Sequence, residues 1–202
     1  HLFRVSLECL CDWMRTRHDL PDGQLGAVAA VQTFGDYLNF HPHLHVLAAT
    51  GLVDREGRFH LMPVESIEPL SELFRHRFIE ALLREKLISE KKARQLLGWT
   101  HSGFSLDAGE KPVAAHDVDG RRWLAEYLLR APFSLEKITW NETSRKVIYR
   151  SKRSWHTKKN FQIFEVTDFL AAAVEHIPPK GQQTVRYYGL YSNKRRGMDA
   201  RT

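Results

Sequence analysis

Residues 27–53 read "AVAAVQTFGDYLNFHPHLHVLAATGLV". "AVAAVQTF" is apolar, rich in Ala and Val, and of strand length, which predicts a buried β-strand. "GDYLNFHP" carries turn residues. "HLHVLAATGLV" reads as a second strand. "GRFHLMPV" (57–64) reads as a third, joined to it around "DREG". Adjacent strands closed by short connections predict an antiparallel meander.

The pattern changes on either side of this region. Leu2, Val5, Leu7, Leu10 and Trp13 recur at helical spacing before Pro21, Gly23 and Gly26 break the chain. From Ser66 to Leu97 the period is again helical, with Leu70, Leu73, Phe74, Phe78, Leu82 and Leu83 on it and Gly98 as the stop. "SGFSLDAG" (102–109) reads as a strand and "RRWLAEYLLRAP" (121–132) as a short helix before Pro132. "KITWNETSRKVIYRS" (137–151) reads as a hairpin turning near Asn141 to Ser144. "TDFLAAAVEHI" (167–177) is a helix that Thr167 would cap. "TVRYYGLYSNKRRGMDART" begins strand-like and ends polar and basic. The expected class is α+β, one domain over 1–202.

The 202 residues are 43% hydrophobic and carry a formal net charge of +6. This composition excludes wholesale disorder, and the positive charge favours a polyanion, nucleic acid before a membrane surface. Cys9 and Cys11 are too close in sequence for a disulfide framework, so the chain is expected to be reduced and cytoplasmic. No apolar run reaches the length of a membrane span.

His41, His43 and His45 fall on alternate positions. On a strand such side chains share a face about 7 Å apart, close enough for two imidazoles to tilt onto one ion. His-x-His alone is equally the polar face of an ordinary strand. A structural zinc site would call for cysteines at other spacings, so an open divalent site that holds a phosphate is the better metal reading. Tyr127 lies in the middle of the helix of 121–132, with Arg121, Arg122 and Arg130 around it. It is either a rim aromatic or a nucleophile that attacks a phosphodiester.

Between Arg145 and Lys159 there are seven cations and no acid: Arg145, Lys146, Arg150, Lys152, Arg153, Lys158 and Lys159. Tyr149 and Trp155 are interleaved. Cations that track a backbone and aromatics that stack bases are the composition of a single-strand groove. Arg186, Tyr187, Tyr188, Tyr191, Lys194, Arg195 and Arg196 repeat the theme.

Taken in order, "HPHLHVLAATG", "LAEYLLRAPFSLEKITWNETSRKVIYRSK" and "HIPPKGQQTVRYYGLYSNKRRG" resemble the rolling-circle insertion-sequence transposases of bacteria, members of the HUH endonuclease superfamily. The resemblance spans most of the chain. It implies a ferredoxin-like antiparallel sheet with flanking helices, the histidines on a central strand, and a basic hairpin. By the same resemblance His43 and His45 bind Mg2+ or Mn2+, Tyr127 is the nucleophile, and the substrate is single-stranded DNA at transposon ends, in a cytoplasmic, nucleoid-associated protein. A cysteine-rich zinc-binding module usually precedes this domain in the family, and its absence here is expected of a fragment.

Members of the family also carry two tyrosines four apart on this helix. Here Trp123 stands four before Tyr127, and tryptophan forms no phosphoester. One nucleophile then serves, and the second step falls to another cleavage round or to a second subunit of a homodimer. Tyr187 and Tyr191 are four apart too, but Gly189 between them argues against the rigid mount a nucleophile needs. Gln32 offers a carbonyl oxygen as third metal ligand, with Asp36 as the alternative. His41 is expected to be a neighbour of the metal site. The rival readings are a non-catalytic single-stranded DNA-binding module descended from such a transposase, and a metal-dependent hydrolase using activated water.

Overall fold

The computed structural model describes residues 2–62, 66–100, 103–109, 112–153 and 158–199. They form an α+β structure with antiparallel pairing. The chain divides into two compact units. One comprises His1–Ala29, Val46–Leu124 and Arg186–Thr202, and the other Ala30–His45 and Ala125–Val185.

In the first unit, α1 (Leu2–His18) packs on α2 (Glu68–Arg84). Val5, Cys9, Leu70 and Ala81 are buried between them, and Trp13, Phe74 and Phe78 close around the cluster. Both cysteines are buried and unpaired in disulfides. The helical run expected over 66–97 is in fact two helices, because Lys86 takes a positive φ of 58° after α2. The second, α3 (Glu90–Leu97), restarts at Ser89, whose Oγ accepts the Lys92 N–H at 3.2 Å. That is the capping chemistry a serine supplies. Buried Arg75 then donates from Nη2 to the carbonyls of Leu96, Leu97 and Trp99, satisfying the open end of α3. Residues 103–109, expected as a strand, have no regular structure.

The meander is corrected as well. Three strands, β1 (Gly26–Phe34), β2 (Phe40–Ala48) and β8 (Val185–Gly189), form one sheet in the order β2-β1-β8. Strands β3 (Gly51–Val53) and β4 (Phe59–Leu61) form a separate hairpin. Among the described residues the histidine strand β2 is therefore an edge strand, and β1 is central. The β2 edge position accommodates Pro42, which has no N–H for a ladder. The strand-like start of the tail is the third strand of this sheet. Gly189 ends it at φ 57°, where a Cβ would collide with the Leu25 carbonyl. The basic end of the tail is helical, α6 (Asn193–Asp199).

In the second unit, β5 (Ile138–Asn141) and β6 (Lys146–Arg150) form the expected hairpin, with Asn141 Oδ1 accepting the Ser144 N–H at 2.9 Å. A strand that the sequence pattern did not reveal, β7 (Phe161–Glu165), pairs with β6 along its whole length. Helix α5 (Val166–Val174) follows directly and starts one residue before Thr167, with no side-chain cap. Leu38, Val147, Tyr149 and Phe169 are the buried core of this unit. Helix α4 (Val118–Leu128) begins before Arg121 and stops ahead of Pro132.

The β3–β4 turn is held by Asp54, whose buried carboxylate accepts hydrogen bonds from His60 Nε2 (2.7 Å), the Arg58 N–H (2.8 Å) and Arg58 Nε (2.9 Å). The His60 bond, then the Arg58 bonds, hold the carboxyl well below its ordinary pKa of 3.8. A depressed acid stabilises the fold fully above that ordinary value, and the contribution is lost as pH falls through the folded-state value. Urea midpoints measured from pH 6 down to about pH 2 should therefore decline more steeply for the native chain than for Asp54→Asn, with the divergence starting near pH 4. Parallel declines would show that this carboxylate contributes nothing.

Candidate functional site

The site is built from residues of β1, β2 and the last turn of α4 that fall within Ala30–His45 and Ala125–Val185. β1 places Gln32 almost fully out of water. Its Nε2 donates to the carbonyls of Tyr127 and Leu128, each at 3.2 Å. These are among the carbonyls that a helix end leaves without an intrahelical partner. The short helix thus finishes on the sheet at a defined place, with Leu128 buried and Tyr127 45% exposed.

On β2 the alternation aligns the histidines. His43 Nδ1–H donates to the His41 carbonyl at 2.7 Å. A neutral ring bonded this way keeps its lone pair on Nε2. That Nε2 is 3.1 Å from His45 Nε2. Two ligand atoms about 2.1 Å from one ion in adjacent octahedral positions would stand about 3 Å apart, so the pair fits a Mg2+-sized cation, and the Nδ1 bond is the kind of support that orients a ligating imidazole. The His45 ring also meets Tyr127 edge-on, with centroids 4.8 Å apart. Burial, then the charges of His43 and Arg130, lower the His45 pKa, so the ring is neutral and can ligate at neutral pH.

His43, His45, Gln32, Tyr127 and Arg130 are therefore brought together. His41 is not part of the pair: its ring lies 5.4 Å from that of His43, and its carbonyl does the orienting. Among the described residues no three His, Cys, Asp or Glu side chains gather where one ion could bind. Asp36 accepts from Ser151 Oγ at 3.0 Å and so anchors the 3-10 turn of Asp36–Leu38. Gln32 meets the tyrosine segment through its amide nitrogen; its Oε1 is the atom with the chemistry a hard cation takes.

The basic residues are more dispersed than their sequence suggests. Arg121 and Arg122 are exposed on the first half of α4. In the hairpin, β7 supplies the acid that the segment 145–159 lacks, and Lys146 Nζ pairs with Glu165 at 2.7 Å. Tyr149 is no stacking platform; it is buried against Phe169 because it faces inward on β6. Arg145, Arg150, Lys152, Arg153, Lys158 and Lys159 are exposed, and Arg153 Nε donates to the Lys158 carbonyl. Trp155 lies outside the described residues. In the tail, Arg186 sits over the Phe3 ring at 5.1 Å, while Lys194 and Arg195 are exposed. Tyr187 is on β8 and Tyr191 in the turn beyond it, so the two do not share a helix face.

Two supports were invisible in the sequence. His176, buried after α5, donates from Nε2 to the Leu38 carbonyl (3.0 Å) and bonds Thr33 Oγ1 through Nδ1 (3.0 Å). The Tyr37 hydroxyl reaches the carbonyls of Lys152 and Lys159, joining the two ends of the basic loop. Both are long-range bonds that no local sequence pattern announces.

Residues 26–198 match the family described as "Putative transposase", and the chain belongs to that family. It is similar to the transposase for insertion sequence element IS801 of Pseudomonas savastanoi pv. phaseolicola, at 24% identity over 96% of this chain. The chain spans about half the length of that relative, 48%. No solved structure matches it. No helix among the described residues is long and apolar enough to cross a membrane.

Gln32→Leu removes the donor to two carbonyls at a largely buried position. It should destabilise the fold by about 1–3 kcal/mol in urea titrations, the cost of stranding buried polar groups. A loss below a few tenths of that would mean that water replaces the amide.

Proposed function

We propose that the chain is the catalytic domain of a rolling-circle insertion-sequence transposase with an HUH-type site, which nicks and rejoins single-stranded DNA at transposon ends. The observation that carries this reading is the convergence of His43 and His45 Nε2 atoms beside the Tyr127 ring on the end of α4. Membership of the transposase family and the net charge of +6 support DNA as partner.

In this reading His43, His45 and Gln32 Oε1 would hold Mg2+ or Mn2+, which would supply charge that polarises the scissile phosphate. Tyr127 Oη attacks the phosphorus. A tyrosyl–phosphate bond forms on the 5′ side, and the bond to the 3′ oxygen breaks. The phenolic proton leaves to water, and the departing 3′ oxygen takes up a proton to become a hydroxyl. The phosphodiester energy is kept in the new ester, so attack by a 3′-hydroxyl reverses the step and joins strands. Arg130 offsets phosphate charge beside the tyrosine, and Arg121 and Arg122 do so along the helix. The exposed cations of 145–159, together with Lys194 and Arg195, bind the strand more remotely. With Trp123 in place of a second tyrosine, the exchange needs a second round or a second copy of the chain.

The test is a denaturing gel of end-labelled single-stranded DNA from the element's termini with Mn2+. The native chain should leave label on protein. Tyr127→Phe should form no adduct yet bind the strand within about twofold, since a hydroxyl seen only in the reaction contributes little to ground-state affinity. His43→Ala and EDTA should each reduce adduct at least 100-fold. An adduct formed equally by Tyr127→Phe would sink the assignment, and a free 5′-phosphate without adduct would indicate an activated-water hydrolase.

A further inference from the structure

A cleft of about 470 Å3 opens beside the tyrosine segment, lined by the end of β1, by Phe40, by residues 128–132 from the last residue of α4 onward and by 175–179 after α5. Its volume is in the range of sites that take small organic groups. Its walls are mainly apolar: Leu129, Pro132, Ile177 and Pro178. Phe40 is the unusual member. It is 59% exposed, yet its ring lies parallel to that of buried His176, at 9° and 6.4 Å between centroids. His176 is itself fixed on two sides, by Thr33 and Leu38, and its edge packs on Phe34. A large aromatic ring thus lies parallel to a fixed imidazole with much of its surface open. Phe40 is not among Leu38, Val147, Tyr149 and Phe169, the buried cluster described for this unit.

We propose that this cleft receives a base of the DNA strand next to the bond attacked by Tyr127, stacked on Phe40. The inference rests on the nicking reading and extends it to the substrate's neighbouring nucleotide. Continuity ties the two together, because Gln32 and Leu128 belong both to the cleft and to the mount of Tyr127. Charge selects which part of a nucleotide enters. Arg130 lines the cleft, so a phosphate is drawn to its end of it. Glu175 lines it as well, and its carboxylate disfavours a phosphate inside. The uncharged base is the part that suits the apolar walls, and a preset aromatic platform stacks any base without ordering cost.

The experiment uses a short mixed-sequence single strand with 5-iododeoxyuridine in place of thymidine, bound to the Tyr127→Phe chain and irradiated. Peptide mapping should find a cross-link at Phe40. Anisotropy titrations should show Phe40→Ala and Phe40→Leu each weakening binding about 5- to 100-fold, with Phe40→Trp close to native. Circular dichroism checks that each variant is folded, and Phe40→Leu keeps apolar volume while losing the ring. Cross-links found only in the basic hairpin, or unchanged affinity in Phe40→Leu, overturn the proposal. An adduct from the native chain without a Phe40 cross-link removes the cleft and leaves the nicking reading. A Phe40 cross-link without any adduct supports the cleft and removes the nicking.

Discussion

The side-chain amide of Gln32 is the bond on which the site depends. It joins β1 to the last turn of α4, residues far apart in the chain, and it does so at a position closed to water. A helix of this length is marginal by itself, so its direction and end point come from what it is fastened to. With the carbonyls of Tyr127 and Leu128 fixed, the tyrosine ring falls against His45, and Arg130 follows within one turn. The same strand packs Thr33 and Phe34 against His176. One central strand therefore mounts the tyrosine segment through one residue and the aromatic cleft through the next two.

Polar groups here act mainly on one another's geometry. His41 contributes a carbonyl that sets the His43 tautomer, and Asp36 contributes a carboxylate that steadies a turn. Among the described residues the pair of Nε2 atoms is accordingly positioned without a third acidic or histidine ligand gathered with it. In the proposed nicking reading, oxygen donors such as an amide carbonyl, water and phosphate would complete a hard-cation shell and leave positions for a substrate.

Much of this was legible in the sequence, and the reasons differ by element. Period-2 alternation located β2 and aligned His43 with His45, and helical period located α1, α2 and α4. Tyr127 and the histidine pair gained meaning from each other through their order in the chain. What stayed hidden depended on distant partners. The break between α2 and α3 needs a positive φ at Lys86, a conformation no apolar pattern encodes. β7 alternates weakly, and only pairing with β6 reveals it as a strand. Tyr149 looked like a stacking residue because its neighbours are cationic, yet the pleat turns it inward. His176 lies in "HIPPKG", a string that matters to the resemblance but gives no sign of the bonds to Thr33 and Leu38.

Pro42 sits on β2 where that strand borders no described neighbour but β1. Because proline cannot donate, its peptide must face away from β1. The open side of the strand then lacks one amide donor immediately before His43. An unpaired strand edge is a template for adding another chain, and a missing donor spoils the register of any newcomer. A chain added along this side of β2 would meet no amide donor at the residue that precedes His43.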